Sequence, residues 1–375
     1  MKENTRKHFG KMTDYFQQIC KHFKIDNNLK SIQRLNSGHI NETFLVTTTS
    51  ENKYVLQKLS SVAFKDVKSV IANKVIVSQH LEQQNVLTSL PYKVIHFIKT
   101  DTNTFYYKEN KDSYWNLMSF IPDSVTYDVA PNDKVVYEAG KLFGNFIAQT
   151  KTLPISNIKE TLPDFHSIPF RFLQFEEALK NTSNTAKQKA KDAIEFAEKC
   201  KDEMHELSKL RHLFPIRITH NDAKLSNILF NENEEGLAVI DLDTVMPGII
   251  AYDFGDSIRS ICTNAAEDDD NFDAIAINLN YYKAFCKGYS EFTLGILNRE
   301  EIKYLPLGAK TITFIMGLRI LTDYLNNNIY YKVDYPEHNL VRAKNQFKLV
   351  ENIQLNYDIL KEITYAAYGL ENVSQ

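Results

Sequence analysis

The sequence is poor in glycine and cysteine, and it contains no long run of apolar or basic residues. Its four cysteines lie far apart, so neither a disulfide framework nor a cysteine-based metal site is expected. No apolar run approaches the roughly 18 residues of a transmembrane helix, and the first residues lack a signal-peptide pattern. With a net charge of −3 and no basic tract, nucleic acid and membranes are not expected as partners. We expect a cytoplasmic monomer or weak homodimer.

What the chain does contain is a change of pattern about one third of the way along. Short runs rich in Val, Tyr, Phe and Thr come first and are typical of strands. An amphipathic helix is expected within residues 1–30, and a helix over residues 67–84 interrupts the strands. After Pro122 the apolar spacing is helical, and the polar segment 184–211 is expected to be a helical arm on the surface. The expected strands are 43–48, 53–59, 92–99, 104–108 and 114–120.

This order of elements predicts an α+β fold of two lobes. We expect a small N-terminal lobe over residues 1–121, with a mostly antiparallel five-stranded sheet and one helix. A large, mainly helical C-terminal lobe is expected over residues 122–375. The 43% apolar content of the 375 residues is enough for a sizeable core.

The chemistry is concentrated in one stretch, where His220, Asp222 and Asn227 form the pattern His-x-Asp-x-x-x-x-Asn. Apolar runs on both sides of a polar turn predict a β-hairpin that brings Asn227 close to Asp241. In protein-kinase-like sites, the Asp of this pattern receives the proton of the attacking hydroxyl. The Asn and a second Asp hold Mg²⁺ on the phosphates of ATP. Hard oxygen ligands of this kind suit Mg²⁺.

From the residues alone, Asp222 is the expected catalytic base, and Asn227 and Asp241 are the expected metal ligands. The alternative is that these residues only form turns, which is common for Asn and Asp. His220 is expected to pack and hydrogen-bond in support of the Asp241 segment. Lys224 is either a point charge near the transferred phosphoryl group or a solvated loop lysine.

The stretch from His220 to Asn227, with Val239-Ile240-Asp241, resembles the aminoglycoside phosphotransferase and choline kinase superfamily of small-molecule kinases. The resemblance spans nearly the whole chain and narrows to the bacterial N-acetylhexosamine 1-kinases. It implies a protein-kinase-like, two-lobe fold and transfer of a phosphoryl group from ATP, with Mg²⁺, to the anomeric hydroxyl of an N-acetylhexosamine. The lobe of residues 1–121 would bind the nucleotide, and the lobe of residues 122–375 would hold the catalytic loop and the acceptor site. The segments that carry the narrower resemblance are 38–41, 165–166, 240–248, 251–256, 317–325, 330–332 and 338–340, with Arg259.

The resemblance also implies roles for the acidic residues of the catalytic stretch. Asp222 would take the proton from the anomeric hydroxyl of the sugar. Asn227 and Asp241 would carry Mg²⁺, and Asp243 would assist them. The partners that follow are a sugar acceptor and ATP.

Outside this stretch, the resemblance makes Asp253 and Arg259 a pair that braces the metal-binding loop. His39, Arg319 and Tyr330 fall where the family contacts the sugar, and all three supply directional donors for hydroxyl and acetamido oxygens. The alternative for Arg319 is a surface ion pair. The alternative for His39 and Tyr330 is plain packing.

The nucleotide-binding residues are expected in two segments of the N-terminal lobe. Backbone amides around Ser37 and Gly38, in a loop between two strands, are expected to cradle phosphates. The strand that contains Met118 and Phe120 resembles an adenine-binding hinge, where backbone amides would contact the purine edge. The alternative for this second segment is an ordinary core strand.

The position of the usual phosphate-binding lysine departs from the pattern of protein kinases. That position is Gln57, and strand alternation directs the adjacent Lys58 to the opposite face. Either Gln57 hydrogen-bonds the phosphates without a charge, or the register differs by one residue and Lys58 takes the role. The helix after this strand offers no Glu to pair with a lysine, since Ala72 and Asn73 occupy the positions where one is sought.

Two further functions stay open at this point. The same chemistry fits another alcohol acceptor, such as choline, ethanolamine, homoserine or an aminoglycoside. A cationic acceptor would favour a pocket of acids and aromatic rings, and Arg319 argues against that. The second is a non-catalytic, pseudokinase-like module that binds nucleotide or sugar, for which Gln57 is the supporting residue.

Overall fold

The computed structural model describes residues 13–26, 28–35 and 41–371. The chain divides by its internal packing into two compact units. The first, called here the sheet unit, comprises Met1–Asp123, Ser156–Leu162 and Leu242–Val245. The second, the helical unit, comprises Ser124–Ile155, Pro163–Asp241 and Met246–Gln375. The assignment of nucleotide and acceptor binding to residues 1–121 and 122–375 stays a prediction.

The sheet unit is built on an antiparallel sheet of five strands. The strands are β1 (Leu29–Leu35), β2 (Glu42–Thr48), β3 (Lys53–Ser60), β4 (Tyr107–Asn110) and β5 (Ser113–Ser119). Their order in the sheet is β1-β2-β3-β5-β4. One long helix, α1 (Val67–Thr88), follows β3, and the Asp66 side chain caps it by accepting the Ser69 amide. The predicted helix at 67–84 is therefore confirmed, with a longer C-terminal end.

The strand count is as predicted, but one strand is a different segment. The prediction of a strand over residues 92–99 is wrong, because that segment has only an isolated bridge between Phe97 and Met118. The free edge of β5 is already shared with β4, which pairs with its first residues. The fifth strand is instead β1, and the N-terminal helix occupies only residues 13–20 of the described chain.

The two faces of this sheet have different surroundings. One face carries the apolar side chains of Phe44, Val46, Leu56, Trp115 and Leu117, which pack with Phe16 and Ile19 of the N-terminal helix. The other face carries Gln57 of β3 directly opposite Asn116 of β5. Both of these polar residues are buried, at 7% and 0% exposure. The buried amides of Gln57 and Asn116 therefore share the face opposite the N-terminal helix.

The helical unit contains the remaining elements. Its helices are α2 (Asp133–Thr150), α3 (Ile168–Asn181), α4 (Asn184–Lys189), α5 (Lys191–Met204), α6 (Glu206–Lys209), α7 (Ile250–Ile261), α8 (Leu279–Thr293), α9 (Arg299–Lys303), α10 (Leu305–Leu325), α11 (His338–Leu355) and α12 (Tyr357–Ala367). Its strands are β6 (Arg217–Thr219), β7 (Ile228–Phe230), β8 (Gly236–Val239) and β9 (Met246–Gly248). Segment 184–211 is helical as predicted, but it is no mere surface arm, because α5 buries Ala193, Ala197 and Met204 in the core.

The core of the helical unit forms around α10. By length and composition α10 could cross a membrane, and it is the one such helix among the described residues. However, 83% of its most apolar 18-residue stretch is buried within the protein, as in a core helix. Helix α2 buries an apolar stripe that includes Val135, Leu142 and Phe146, and it lies very close to α8. A Cβ on Gly140 would lie 2.4 Å from the Phe285 carbonyl, and one on Gly288 would lie 2.1 Å from the Tyr137 carbonyl. The scarce glycines are thus used where two helix backbones meet.

Candidate active site

The predicted β-hairpin is present in the helical unit. Strands β7 and β8 pair antiparallel, with Ile228 opposite Val239. The Ile240 amide then donates to the Asn227 carbonyl at 2.9 Å. Because this bond extends the pairing to the residue just before Asp241, Asn227 and Asp241 lie at the same end of the hairpin, as the sequence predicts.

Asp222 lies on the loop between β6 and the short turn that ends at Asn227. The Asn227 amide donates from Nδ2 to Asp222 Oδ2 at 2.9 Å and to the Asp222 carbonyl at 2.8 Å. Lys224 Nζ forms a salt bridge with the same Oδ2 at 2.8 Å. Burial raises the pKa of Asp222, but the Lys224 charge and the hydrogen bonds outweigh burial and lower that pKa below its ordinary value. Asp222 is therefore ionised at neutral pH.

The backbone before Asp222 is held by Asp253 of α7. Its carboxylate accepts the His220 amide at 2.7 Å and the Asn221 amide at 2.5 Å. Asn221 has a left-handed φ of 62°, which Asn tolerates better than most residues and which often occurs at functional sites. Asp253 is 4% exposed, and burial raises its pKa to about 6. One buried carboxylate thus orders two consecutive amides next to the candidate base.

His220 links this loop to the hairpin. Its Nε2 lies 2.9 Å from the Ile240 carbonyl, and since a carbonyl can only accept, Nε2 carries the proton. Phe143 and Phe146 of α2 each contact the imidazole ring edge-on, with centroids 5.8 Å away. This is the contact expected of a residue that supports the Asp241 segment.

Asn227 and Asp241 offer the oxygens that Mg²⁺ prefers. Because Asn227 directs its Nδ2 to Asp222, Oδ1 is the amide atom that can bind a cation. Burial lowers the pKa of Lys224, but the charges of Asp222 and Asp241 raise it above its usual range. Within the described residues there is no group of three or more His, Cys, Asp or Glu side chains suited to a metal. Two protein ligands completed by phosphates and water are typical of Mg²⁺ in nucleotide enzymes, so the donor set fits.

Asp253 and Arg259, expected as a bracing pair, are not bonded to each other. Arg259 donates to Asp256 at 2.8 and 3.0 Å and to Glu267 at 3.2 Å. Glu267 also pairs with Arg342; burial raises its pKa, but the two guanidinium charges outweigh burial and lower it to about 2. Arg259 therefore stabilises α7 and the acidic loop after it, and Asp253 contacts the catalytic loop.

Arg319 of α10 is half-buried and forms no salt bridge within the described part of the chain. Its guanidinium carbon lies 4.9 Å from the ring centroid of Phe165 and 6.0 Å from that of Tyr331. Nearby Asp323 accepts two backbone amides of the following loop, at 2.8 and 2.9 Å. The surface ion pair considered as the alternative is therefore not formed in these residues.

A second arginine and a histidine lie near Arg319 in the same unit. Arg171 donates to the Phe165 carbonyl at 2.7 Å, and burial, with the Arg319 charge, lowers its pKa to about 10. Burial and the charges of Arg319 and Arg171 lower the pKa of His166 to about 3, against an opposing effect of Asp222. These effects indicate that His166 is a neutral imidazole at pH 7, with the two guanidinium groups and the Asp222 carboxylate each close enough to act on it.

The remaining acceptor-side predictions are less well defined by the structure. Tyr330 is 52% exposed, and its ring packs edge-on against Tyr331 with centroids 4.9 Å apart. Ser37, Gly38 and His39 lie outside the described residues. Their roles in phosphate and sugar binding stay predictions.

On the nucleotide side, the strand register separates Gln57 from Lys58. Gln57 pairs with Asn116 on the polar face of the sheet. Lys58 lies on the other face, where its Nζ is 3.8 Å from Glu42 and 5.6 Å from the ring centroid of Trp115. Of the two alternatives left open by the sequence, the geometry favours Gln57.

Gln57 contacts a residue that the sequence analysis missed. Lys74 of α1 is 1% exposed; its Nζ donates to Gln57 Oε1 at 2.8 Å and forms a salt bridge with Asp243. Asp243 also accepts Gln57 Nε2 at 3.1 Å and the Asn41 amide. With both oxygens engaged in the sheet unit, Asp243 is less suited than Asn227 to the metal role predicted for it.

A signal for Lys74 exists in the sequence. The buried side of α1 includes Val67, Val70, Ile71, Val75 and Leu81. Lys74 falls on this stripe at helical spacing and is its charged member, and a buried charge requires a partner. A lysine out of place on an apolar helix face thus pointed to an ion pair, although its partner 169 residues later was beyond reach of local pattern analysis.

Of the two predicted adenine contacts, Met118 lies on strand β5 and Phe120 lies just after it. Met118 is buried on β5 opposite Val55. Phe120 follows the strand, and its amide donates to the Lys53 carbonyl at 3.3 Å. Contact of either residue with adenine stays a prediction.

The fold defines the class of protein first. The aminopropanol kinase of a microcompartment aligns with a TM-score of 0.63 and 16% identity, over 92% of this chain and 98% of that one. An amicoumacin kinase in complex with AMP-PNP and Ca²⁺ aligns with a TM-score of 0.59 and 14% identity, over 92% of this chain and 95% of that one. Choline kinase from Cryptosporidium parvum aligns with a TM-score of 0.57 and 12% identity, over 92% of this chain and 97% of that one. The predicted kinase-like α+β fold is confirmed.

The family follows from the sequence match. The model of the phosphotransferase enzyme family (APH) matches residues 31–289, which is more than half of the chain, and the chain belongs to this family. It is a small-molecule phosphotransferase of the aminoglycoside phosphotransferase and choline kinase type, an enzyme that transfers phosphate to an alcohol. The resemblance is thus confirmed at the level of the superfamily.

One curated protein of a different kind also matches locally. The 4-hydroxybutyrate coenzyme A transferase of Clostridium kluyveri is 32% identical over 83 residues, which are 21% of this chain and 19% of that protein. The chain thus spans about a fifth of that relative's length. This local likeness shows no family.

Proposed function

We propose that this phosphotransferase is a sugar 1-kinase, which uses ATP and Mg²⁺ to phosphorylate the anomeric hydroxyl of N-acetylglucosamine or N-acetylgalactosamine. The anomeric oxygen forms a bond to the γ-phosphorus while the bond to the bridging oxygen of ADP breaks. The hydroxyl proton passes to Asp222. The products are ADP and the sugar 1-phosphate.

ATP and a divalent cation are supported by relatives of the same fold. One is described with AMP-PNP and Ca²⁺, and a spectinomycin phosphotransferase is described with ADP. In this chain, Asn227 and Asp241 would hold Mg²⁺, which would neutralise charge on the phosphates when bound. Gln57 would hydrogen-bond the phosphates from the sheet unit.

Asp222 has the properties that this role requires. Its Oδ2 is held by Asn227 and Lys224, so Oδ1 is the oxygen that orients the acceptor hydroxyl. A lowered pKa suits a loose transition state, because the proton need only leave once the bond to phosphorus is forming. Orientation of the hydroxyl then supplies most of the effect of this residue.

The single observation that favours a sugar is the positive charge of two arginines, Arg319 and Arg171, around His166. Arg319 has no carboxylate partner in residues 13–26, 28–35 and 41–371, and its charge and that of Arg171 act on His166 beside Asp222. A cationic acceptor such as choline or an aminoglycoside would be repelled there, whereas hydroxyl and acetamido oxygens accept guanidinium hydrogen bonds. The subfamily resemblance agrees with this choice.

The test is ADP release with Mg²⁺-ATP against N-acetylglucosamine, N-acetylgalactosamine, glucose, galactose, choline, homoserine and kanamycin. ³¹P NMR then locates the phosphate on any product. We expect turnover with an acetamido sugar and a phosphate at the anomeric carbon. Turnover limited to choline, homoserine or kanamycin would overturn the sugar proposal and keep the phosphotransferase chemistry.

Asp222→Asn separates an enzyme from the non-catalytic alternative. We expect kcat to fall by about 10²- to 10⁴-fold, while Mg²⁺–AMP-PNP binds about as tightly as in the wild type. Asp202→Asn, on the exposed part of α5, is the matched control and should change neither quantity. Equal slow turnover in all three proteins would favour the binding module.

A further inference from the structure

The buried polar cluster of the sheet unit is made of Lys74, Gln57 and Asp243. Lys74 contributes the cation from helix α1, Gln57 a neutral amide from β3, and Asp243 the anion from the turn at Leu242–Thr244. All three are less than 9% exposed. Asn41, which accepts the Ser60 amide at 2.8 Å, completes the cluster with a bond to Asp243.

The helix of this cluster carries a positive charge, where the helix of a protein kinase carries a negative one. There, the strand carries the lysine, the helix carries a glutamate, and their ion pair must form for activity. Here, the strand position is neutral Gln57 and the helix carries Lys74. Since Lys58 lies on the other face of the sheet with Glu42, Lys74 is the lysine that contacts Gln57.

A second contact shows that α1 holds this turn at more than one point. Asn73, next to Lys74, donates to the Val245 carbonyl at 3.0 Å and to the Lys159 carbonyl at 2.7 Å. The segment Leu242–Val245 is thereby fixed to α1 at Asp243 and at Val245. This segment directly follows Asp241, the proposed metal ligand, so its placement limits where the Asp241 carboxylate can go.

We propose that Lys74 is the positioning residue of the nucleotide site. With Gln57 and Asp243 it forms a relocated ion-pair cluster that fixes the turn after Asp241 and replaces the strand-lysine and helix-glutamate pair. The inference rests on the proposed kinase function but not on the identity of the acceptor. Lys74 acts through Asp243 and Gln57, and it is not a proton carrier.

The test uses one variant that removes the Lys74 charge and a second that moves the lysine to β3 without changing the amino-acid composition. Lys74→Gln removes the charge, and Gln57→Lys/Lys74→Gln transposes the lysine to the strand. The matched control is Lys310→Gln in the helical unit, because Lys310 is 4% exposed and is likewise bonded to a carboxylate, Glu203 at 2.5 Å, and an amide, Gln354 at 2.7 Å. Calorimetry of Mg²⁺–AMP-PNP binding to the full chain, without acceptor, is read beside the melting temperature.

We expect Lys74→Gln to weaken nucleotide binding roughly ten-fold or more, because it leaves Asp243 buried and unpaired. The transposed variant should recover most of that loss. Lys310→Gln should lower the melting temperature while the affinity stays about the same. The KM of the acceptor should not change in any of them.

Two results would overturn the inference. One is a Lys74→Gln protein that melts earlier, as Lys310→Gln does, but binds nucleotide as tightly as the wild type. The other is a folded transposed variant whose binding is as weak as that of Lys74→Gln. Should Lys74→Gln not fold, the transposed variant decides alone, and a ten-fold loss in it contradicts the inference. Failure of the proposed function differs from both, because the wild type would then bind nucleotide without phosphorylating any acceptor.

Discussion

Asp253→Asn tests whether the catalytic loop depends on one buried carboxylate. The substitution keeps the size of the side chain but replaces one acceptor oxygen with a donating NH₂ group. One of the two amides at 2.5 and 2.7 Å, from Asn221 and His220, then faces a donor. A lost hydrogen bond to a charged acceptor costs about 1.5–3 kcal/mol, so we expect kcat to fall roughly ten- to hundred-fold.

The same carboxylate links stability and activity to pH in opposite directions. Its pKa is about 6 in the folded protein, against an ordinary value of 3.8. At about 1.36 kcal/mol per pH unit, this difference corresponds to about 3 kcal/mol. Because the folded state binds the proton more tightly, Asp253 lowers the unfolding free energy as pH rises from about 4 to about 6. The kcat falls as the pH is lowered below about 6, because the protonated Asp253 is a poorer acceptor for the loop amides.

The assay compares the wild type with Asp253→Asn by urea unfolding and by kcat at several values between pH 4.5 and 7.5. Taking the difference between the two proteins cancels the titration of other groups. The variant should gain about 2 kcal/mol relative to the wild type between pH 4.5 and 7.5, because roughly 1.5 pH units of this range lie below the folded-state pKa of about 6. Its kcat should lose the acid limb near pH 6. A difference in unfolding free energy that stays flat with pH would refute the reasoning.

Three further substitutions probe separate parts of the molecule. Gly288→Ala places a Cβ 2.1 Å from the Tyr137 carbonyl and should lower the unfolding free energy by about 2 kcal/mol in urea denaturation. Asn116→Leu replaces a fully buried amide that has no partner among the described residues. It should raise the melting temperature in thermal denaturation, because a buried polar group without a partner is removed from the interior. Arg319→Met should raise the KM of the acetamido sugar about ten-fold with the KM of ATP unchanged, and Arg319→Lys should not restore it, because the planar fork is lost.

The catalytic hairpin was accessible from sequence because its signals are local. Asn227 and Asp241 are separated by one polar turn between two apolar runs, so strand pairing alone brings them together. The long-range contacts were not accessible in this way. Asp253 bonds amides 32 and 33 residues earlier, and neither residue type nor spacing indicates that its carboxylate would accept them in place of pairing with Arg259.

The error over residues 92–99 has a related cause. The segment has the composition of a strand, but whether it forms one depends on which edge is available. β4 already pairs with part of the free edge of β5, which leaves room for a single bridge at Phe97. Edge availability is a property of the assembled sheet, whereas composition is a property of the segment, so the second cannot decide the first.

Asp222 could be predicted from a sequence motif and Lys74 could not, and the reason lies in what phosphoryl transfer requires. The group that meets the acceptor hydroxyl must stand at a defined position and angle, so its residue type and its place in the motif are closely constrained. A cation that positions the nucleotide site acts through its ion pair, here with Asp243, and that pair depends on where the charge lies and not on which element carries it. A lysine can therefore move from strand to helix when a partner such as Gln57 fills the vacated position. Motif analysis looks for the lysine at its usual place in the chain, and only the fold reveals that α1 supplies the same charge.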